Sequence, residues 1–180
     1  AVIVEKKFFV DIGGFDEYYF GGGEEVELGL RAWQYGFKVL YVPSSIVYHL
    51  RYGSFKTMGS FPTYAWVKSI FYFILKNCEK KNVIFYCCES ILLTHFPKLI
   101  VFILRKDSSS FLSVVKGMFD FLFELKKKKV LSTIYLKRRE IEKNKRITDK
   151  ELAKLGIATS FAERMRYRVK TYQNWKSGKY

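Results

Sequence analysis

"FGGGEEVELGLRAWQYG", residues 20–36, is the stretch on which the reading of the fold turns. Three glycines run into three acidic residues within four positions, in a chain whose net charge is +15. Glycines let the backbone turn sharply and lie close to a ligand with no side chain in the way. A helix opens directly behind them, over residues 24–35. Its first N–H groups lack intrahelical partners, and the positive end of its dipole favours carboxylates. At about 100° per residue, Val26, Leu30 and Trp33 form the stripe expected to be buried. Glu27 and Arg31, four apart in the favourable order, fall on the opposite, wetter side. Glu25 stacks over Gly29 and Ala32, the smallest residues of the helix, which leaves room for a substrate. A carboxylate held ionised at a cleft edge is a candidate general base. Glycine inside a helix costs about 1 kcal/mol relative to alanine, so Gly29 asks for a spatial reason. Acidic first turns are also common simply because they suit the dipole, so spacing alone does not establish catalysis.

Working outward, residues 2–5, "VIVE", read as a short buried strand. Phe8, Phe9 and Ile12 fit a turn and a half of helix, which Gly13 and Gly14 stop. Phe15 is expected to pack back on the core, and Asp16 to bond the nearby backbone in a turn. Gly36 is a natural residue just past a helix end. Residues 38–43, "KVLYVP", read as a strand halted by Pro43, and 45–49 as a second extended segment. From residue 61 the texture changes. Residues 61–77, 82–104 and 110–129 are long, apolar and helical in pattern, 130–146 are basic and helical, and 159–180 form a last basic helix with aromatics. Thr148 with Glu151 three residues on is a helix-start signal.

The charge is divided along the chain. Residues 1–60 hold six Lys/Arg against seven Asp/Glu, and residues 61–180 hold 26 against 10. The second zone should therefore seek an anionic partner. With 49% apolar residues a packed core is possible, and global disorder is excluded. The three cysteines, Cys78, Cys87 and Cys88, lack metal-knuckle spacing and read as buried free thiols of a reducing compartment. The best candidate membrane span, 83–104, contains Glu89, His95, Pro97 and Lys98, so a helix lying in the interface fits better than one crossing it.

The run "GGFDEYYFGGGEEVELGLRAWQYGFKVLYVPSSIVYH", residues 13–49, resembles the C-terminal half of the catalytic domain of family 2 inverting glycosyltransferases. The family's GGFDE-like turn, aromatic-glycine stretch, acidic pair opening a helix, following Arg, G-[YF]-x-[IVL] strand, proline and Tyr-His occur here in order. "FGGGEE" is also similar to the acidic motif of galactosyltransferases. The resemblance implies an α/β fragment: the C-terminal part of a type-A glycosyltransferase domain, with few strands and the acidic-motif helix, over residues 1–60. A mainly α-helical, membrane-associated extension would follow over 61–146 and a basic tail over 147–180. It implies Glu25 as catalytic base where the family usually has Asp, and Gly22, Gly23 and Glu24 as acceptor-binding residues. His49 is the metal-side candidate. The donor would be a nucleotide sugar and the acceptor a glycan or lipid-linked species. The family's Asp-x-Asp, which holds Mn²⁺ or Mg²⁺ on the diphosphate, does not occur in these 180 residues. The expectation is thus a portion of a longer enzyme, lacking the donor half and inactive by itself. It would lie on the cytoplasmic face of the cell membrane. The alternative is a non-catalytic basic helical module on an anionic membrane. Nucleic acid is a weaker third reading, because basic and aromatic residues interleave but no binding motif accompanies them.

Overall fold

The computed structural model describes residues 2–48, 57–155 and 157. Among them every regular element is a helix: α1 Lys6–Asp11, α2 Glu24–Gln34, α3 Phe61–Asn77, α4 Lys80–Ser90, α5 Phe96–Leu104, α6 Ser108–Leu125, α7 Lys128–Asn144 and α8 Asp149–Lys154. A π-helical turn, Ile91–His95, joins α4 to α5. The expected α/β fragment is therefore corrected: the described residues are helical and contain no strand. Residues 2–5 and 38–48 carry strand-like sequence but form no ladder. Ile3 is 99% and Tyr48 96% exposed. Alternating β-branched and aromatic residues favour an extended backbone, yet a strand exists only when a neighbour takes its N–H and C=O groups, and no described segment does so.

Local chemistry sets the helix ends. Gly13 and Gly14 terminate α1 as expected. α2 ends in a Schellman motif, with Gly36 N–H donating to Trp33 O and Phe37 N–H to Ala32 O, both at 2.9 Å, and Gly36 at φ +84°. Thr148 and Glu151 close a reciprocal capping box at the start of α8. Pro97 cannot donate to the carbonyl four residues earlier. The widened turn before it absorbs that loss, and Phe96 N–H donates to Ile91 O instead.

The core lies where α3, α6 and α7 meet: Val67, Phe71 and Tyr72 against Val114, Phe121 and Ile134. Gly117 makes the α3–α6 crossing possible, since a Cβ there would stand 3.0 Å from both Tyr64 O and Val67 Cβ. Arg138 of α7 donates to Leu75 O and Cys78 O, satisfying carbonyls at the end of α3. Asp149 ties α8 back by accepting from Glu79 N–H and from Lys145. Of the cysteines, Cys78 is buried, Cys87 half-buried and Cys88 exposed, so burial holds for only one of the three.

The α4–α5 run has inverted amphipathy. Tyr86, Glu89, Ser90 and His95 are buried, whereas Phe85, Leu92, Phe96, Ile103 and Leu104 are exposed. α6 continues the apolar surface with Leu112, Phe119, Leu122 and Phe123. A water-facing helix carries the opposite pattern. The 25 residues of Lys80–Leu104 are long and apolar enough to cross a membrane, and only 11% of their most apolar window is buried.

Candidate functional site

The acidic helix has two working faces, and its apolar period suggests only part of them: Leu30 is buried as expected, but so is a charged side. Glu27 is completely buried and Arg31 nearly so. Arg31 Nε and Nη2 donate to Glu27 at 3.0 and 2.9 Å, a two-point pair. The same guanidinium donates to the carbonyls of Ile12 and Gly14, fixing the GGFDE turn against the helix. Lys76 of α3 lies between two acids, 2.6 Å from Asp16 and 2.7 Å from Glu27. Lys137 of α7 completes the cluster at 2.6 Å from Asp16. Arg31 pairs with Glu27 as the i,i+4 spacing predicts, but inside the protein rather than on a wet side. Val26, conversely, is more than half exposed. The reason is charge: cations arriving from α3 and α7 make the Glu27 side the one that can be buried.

Asp16 has one further role. It accepts from the backbone N–H of Tyr18 at 3.1 Å, the expected turn bond, and from the Tyr72 hydroxyl at 2.9 Å. Burial pushes the Asp16 carboxyl up, but Lys137 and Lys76 outweigh burial and hold it well below the usual carboxylate range. Burial and the neighbouring Asp16 carboxylate raise the Tyr72 phenol above its ordinary value. Tyr18 stacks on Tyr72 with ring centroids 3.8 Å apart and donates to Glu124 of α6. Asp16, Glu27 and Arg31 are thus structural, clamping the turn and α2 to the later helices across residue 60.

Glu25 is what this clamp leaves available. It is exposed, and with Gly29 it lines a cavity of about 390 Å³ between α2, α3 and α4. A Cβ at Gly29 would meet nothing within 4 Å, the open space expected beside Glu25. Ala32 is buried elsewhere and does not line it. The wall is largely apolar, including Leu30, Trp33, Trp66, Ile70, Phe73 and Ile74. The polar groups on it are few: Glu25, Ser69, Tyr86, Glu89, Ser90 and Thr94, with the ring of Tyr19. Tyr19 is 8% exposed and its hydroxyl has no hydrogen-bond partner.

The other expected site residues divide. Gly23, which caps α2 at φ +98°, lines the cavity, and a Cβ there would press on Tyr19 at 3.4 Å. Gly22 and Glu24 do not line it. Gly22 packs beneath the Trp66 ring, 3.3 Å from where its Cβ would be, and one Glu24 oxygen is buried without a hydrogen-bond partner. His49 and the basic helix over 159–180 lie outside the described residues. No three His, Cys, Asp or Glu side chains converge as metal ligands among the described residues. With no Asp-x-Asp in the chain, the groups at hand do not fit a diphosphate-bound metal, and no step is routed through one. Sequence reasoning missed Lys76, Tyr19 and Trp66. The signal for Lys76 was a lysine near the end of the apolar run 61–77, which holds one other, Lys68.

No protein-family model, no curated protein and no solved structure matches this chain.

Proposed function

We propose that this chain supplies the acceptor side and the general base of a membrane-associated inverting glycosyltransferase. The observation that carries the reading is the separation of the acids. Glu27 is committed to an ion cluster, while Glu25 faces a cavity large enough for part of a ligand, within the usual 300–1,000 Å³ of small-molecule sites. In the reaction, the Glu25 carboxylate takes the proton of an acceptor hydroxyl. That oxygen bonds to the anomeric carbon of a nucleotide sugar, and the bond from that carbon to the diphosphate oxygen breaks, its electron pair leaving with the nucleotide. Single displacement inverts the anomeric centre. The resemblance over residues 13–49 assigns the base to this position, and the apolar outer face of α4–α6 supports work at a lipid surface.

The test uses membranes from cells expressing the full-length gene product, supplied with labelled nucleotide sugars. Glu25→Gln is expected to lower transfer by at least about 100-fold, the scale of a lost general base, with unfolding unchanged. Glu25→Asp, the residue usual in the family, should keep measurable transfer. Full turnover in Glu25→Gln rejects the base assignment.

The second reading, a non-catalytic helical module on an anionic membrane, is favoured by the inverted amphipathy of α4–α5. It predicts salt-sensitive vesicle binding with no sugar transfer under any donor.

A further inference from the structure

We infer that the cavity beside Glu25 takes the hydrocarbon chain of an uncharged, hydroxyl-bearing lipid, which is the acceptor; this rests on the proposed transfer reaction.

The wall decides the ligand class. A sugar or a nucleotide needs many hydrogen-bonding groups around it, and a phosphate needs cations or converging N–H groups. Among the described residues no Lys or Arg lines the cavity, and the exposed Glu25 carboxylate repels anions. Lys76 and Lys98 stand over the Tyr19 and Trp66 rings, at 5.5 and 5.9 Å from the centroids, without joining the wall. Aliphatic and indole surface from Leu30, Trp33, Trp66, Ile70 and Ile74 instead suits an alkyl or prenyl chain.

The position of the cavity points the same way. α4 gives Tyr86, Glu89, Ser90 and Thr94, the last from the π-helical turn that follows it, to the wall, and turns Ile84, Phe85 and Leu92 outward as part of the apolar surface. One helix thus separates the cavity from the face suited to acyl chains, so a lipid need not cross water to reach it. The polar end of such a molecule meets the Glu25 carboxylate, exposed on the wall near Gly23 at the start of α2. A hydroxyl headgroup there lies beside the base that deprotonates it.

The experiment is quenching of tryptophan fluorescence by a monoacylglycerol with a dibrominated acyl chain, presented in neutral-detergent micelles. Trp33 and Trp66 line the cavity, and Trp175→Phe in every sample removes the third indole. Saturable quenching is expected. Gly29→Leu fills the open space above Gly29 and should raise the half-saturating concentration at least tenfold, with helix content unchanged. Ile70→Phe, which narrows the cavity from α3, should act in the same direction. The same brominated chain on a phosphate headgroup should bind at least tenfold more weakly. Unsaturable quenching, indifference to both substitutions, or equal binding of the phosphate lipid overturns the inference. Glu25→Gln separates the two claims: it should leave quenching within threefold and lose transfer. Transfer surviving in Glu25→Gln while Gly29→Leu still blocks quenching removes the base and keeps the lipid site. The converse removes the lipid site and keeps the base.

Discussion

Replacing Glu27 by Gln changes one atom of a side chain that touches no solvent, and the structure makes it the most damaging conservative change in α2. Glu27 is 0% exposed and holds two cations, Arg31 at 2.9 Å and Lys76 at 2.7 Å. In the parent cluster two carboxylates, Asp16 and Glu27, face Arg31, Lys76 and Lys137. Glutamine keeps the shape but leaves three cations facing one carboxylate, and two of those cations are buried. Removing one partner of a buried pair costs about 3–5 kcal/mol, because the other charge stays desolvated. We expect about 4 kcal/mol here, since Arg31 retains its bonds to the Ile12 and Gly14 carbonyls while Lys76 retains Asp16. Glu25→Gln, two residues away and exposed, should change stability by less than about 0.5 kcal/mol. The assay is urea unfolding followed by far-UV circular dichroism in neutral buffer. With a slope of about 2 kcal/mol per molar, the Glu27→Gln midpoint should fall by about 2 M. A Glu27→Gln midpoint within error of the parent, or an equal loss in Glu25→Gln, would refute the buried cluster and restore the wet-side placement.

Three other outcomes follow from named contacts. Asp16 has a depressed folded-state pKa, so its contribution should be complete above the unfolded carboxylate value of about 3.9 and drain away as pH falls below it; Asp16→Asn should lose that acid-dependent stability in pH-resolved unfolding. Gly117→Val should destabilise by about 1–3 kcal/mol by thermal melting, because a Cβ there meets Tyr64 O and Val67 at 3.0 Å across the α3–α6 crossing; a neutral result would mean the two helices do not pack this closely. Cys88 shares the outward face of α4 with Phe85, whereas burial pushes the Cys78 thiol up and protects it. A water-soluble maleimide should therefore label Cys88 first, and anionic vesicles should slow that labelling at low salt; labelling indifferent to vesicles would remove the lipid-facing surface.

Features that depend on a few adjacent residues were legible. Gly13 and Gly14 end α1, Gly36 ends α2, Thr148 and Glu151 start α8, and residues 61–77 are the helix α3 that their pattern predicts. Glu25 beside an open Gly29 was legible too, because both lie on one helix and geometry alone relates them. Strands over 2–5 and 38–43 were not, since a strand is a relation between segments and a local pattern states only a preference.

The sequence by itself determined where α1 and α2 end and where α8 begins, that Glu27 and Arg31 pair, and that an acidic residue stands over a glycine. Caps, i,i+4 pairs and turns are closed within a few residues and need no distant partner. Only the tertiary structure decided which side of α2 is buried. Hydrophobic periodicity counts apolar side chains and assigns charges to water. It cannot register that Lys76 and Lys137, 49 and 110 residues beyond Glu27, converge on two carboxylates and make a charged face the buried one. That convergence turned the apolar stripe of α2 toward a cavity, with Glu25 on its wall.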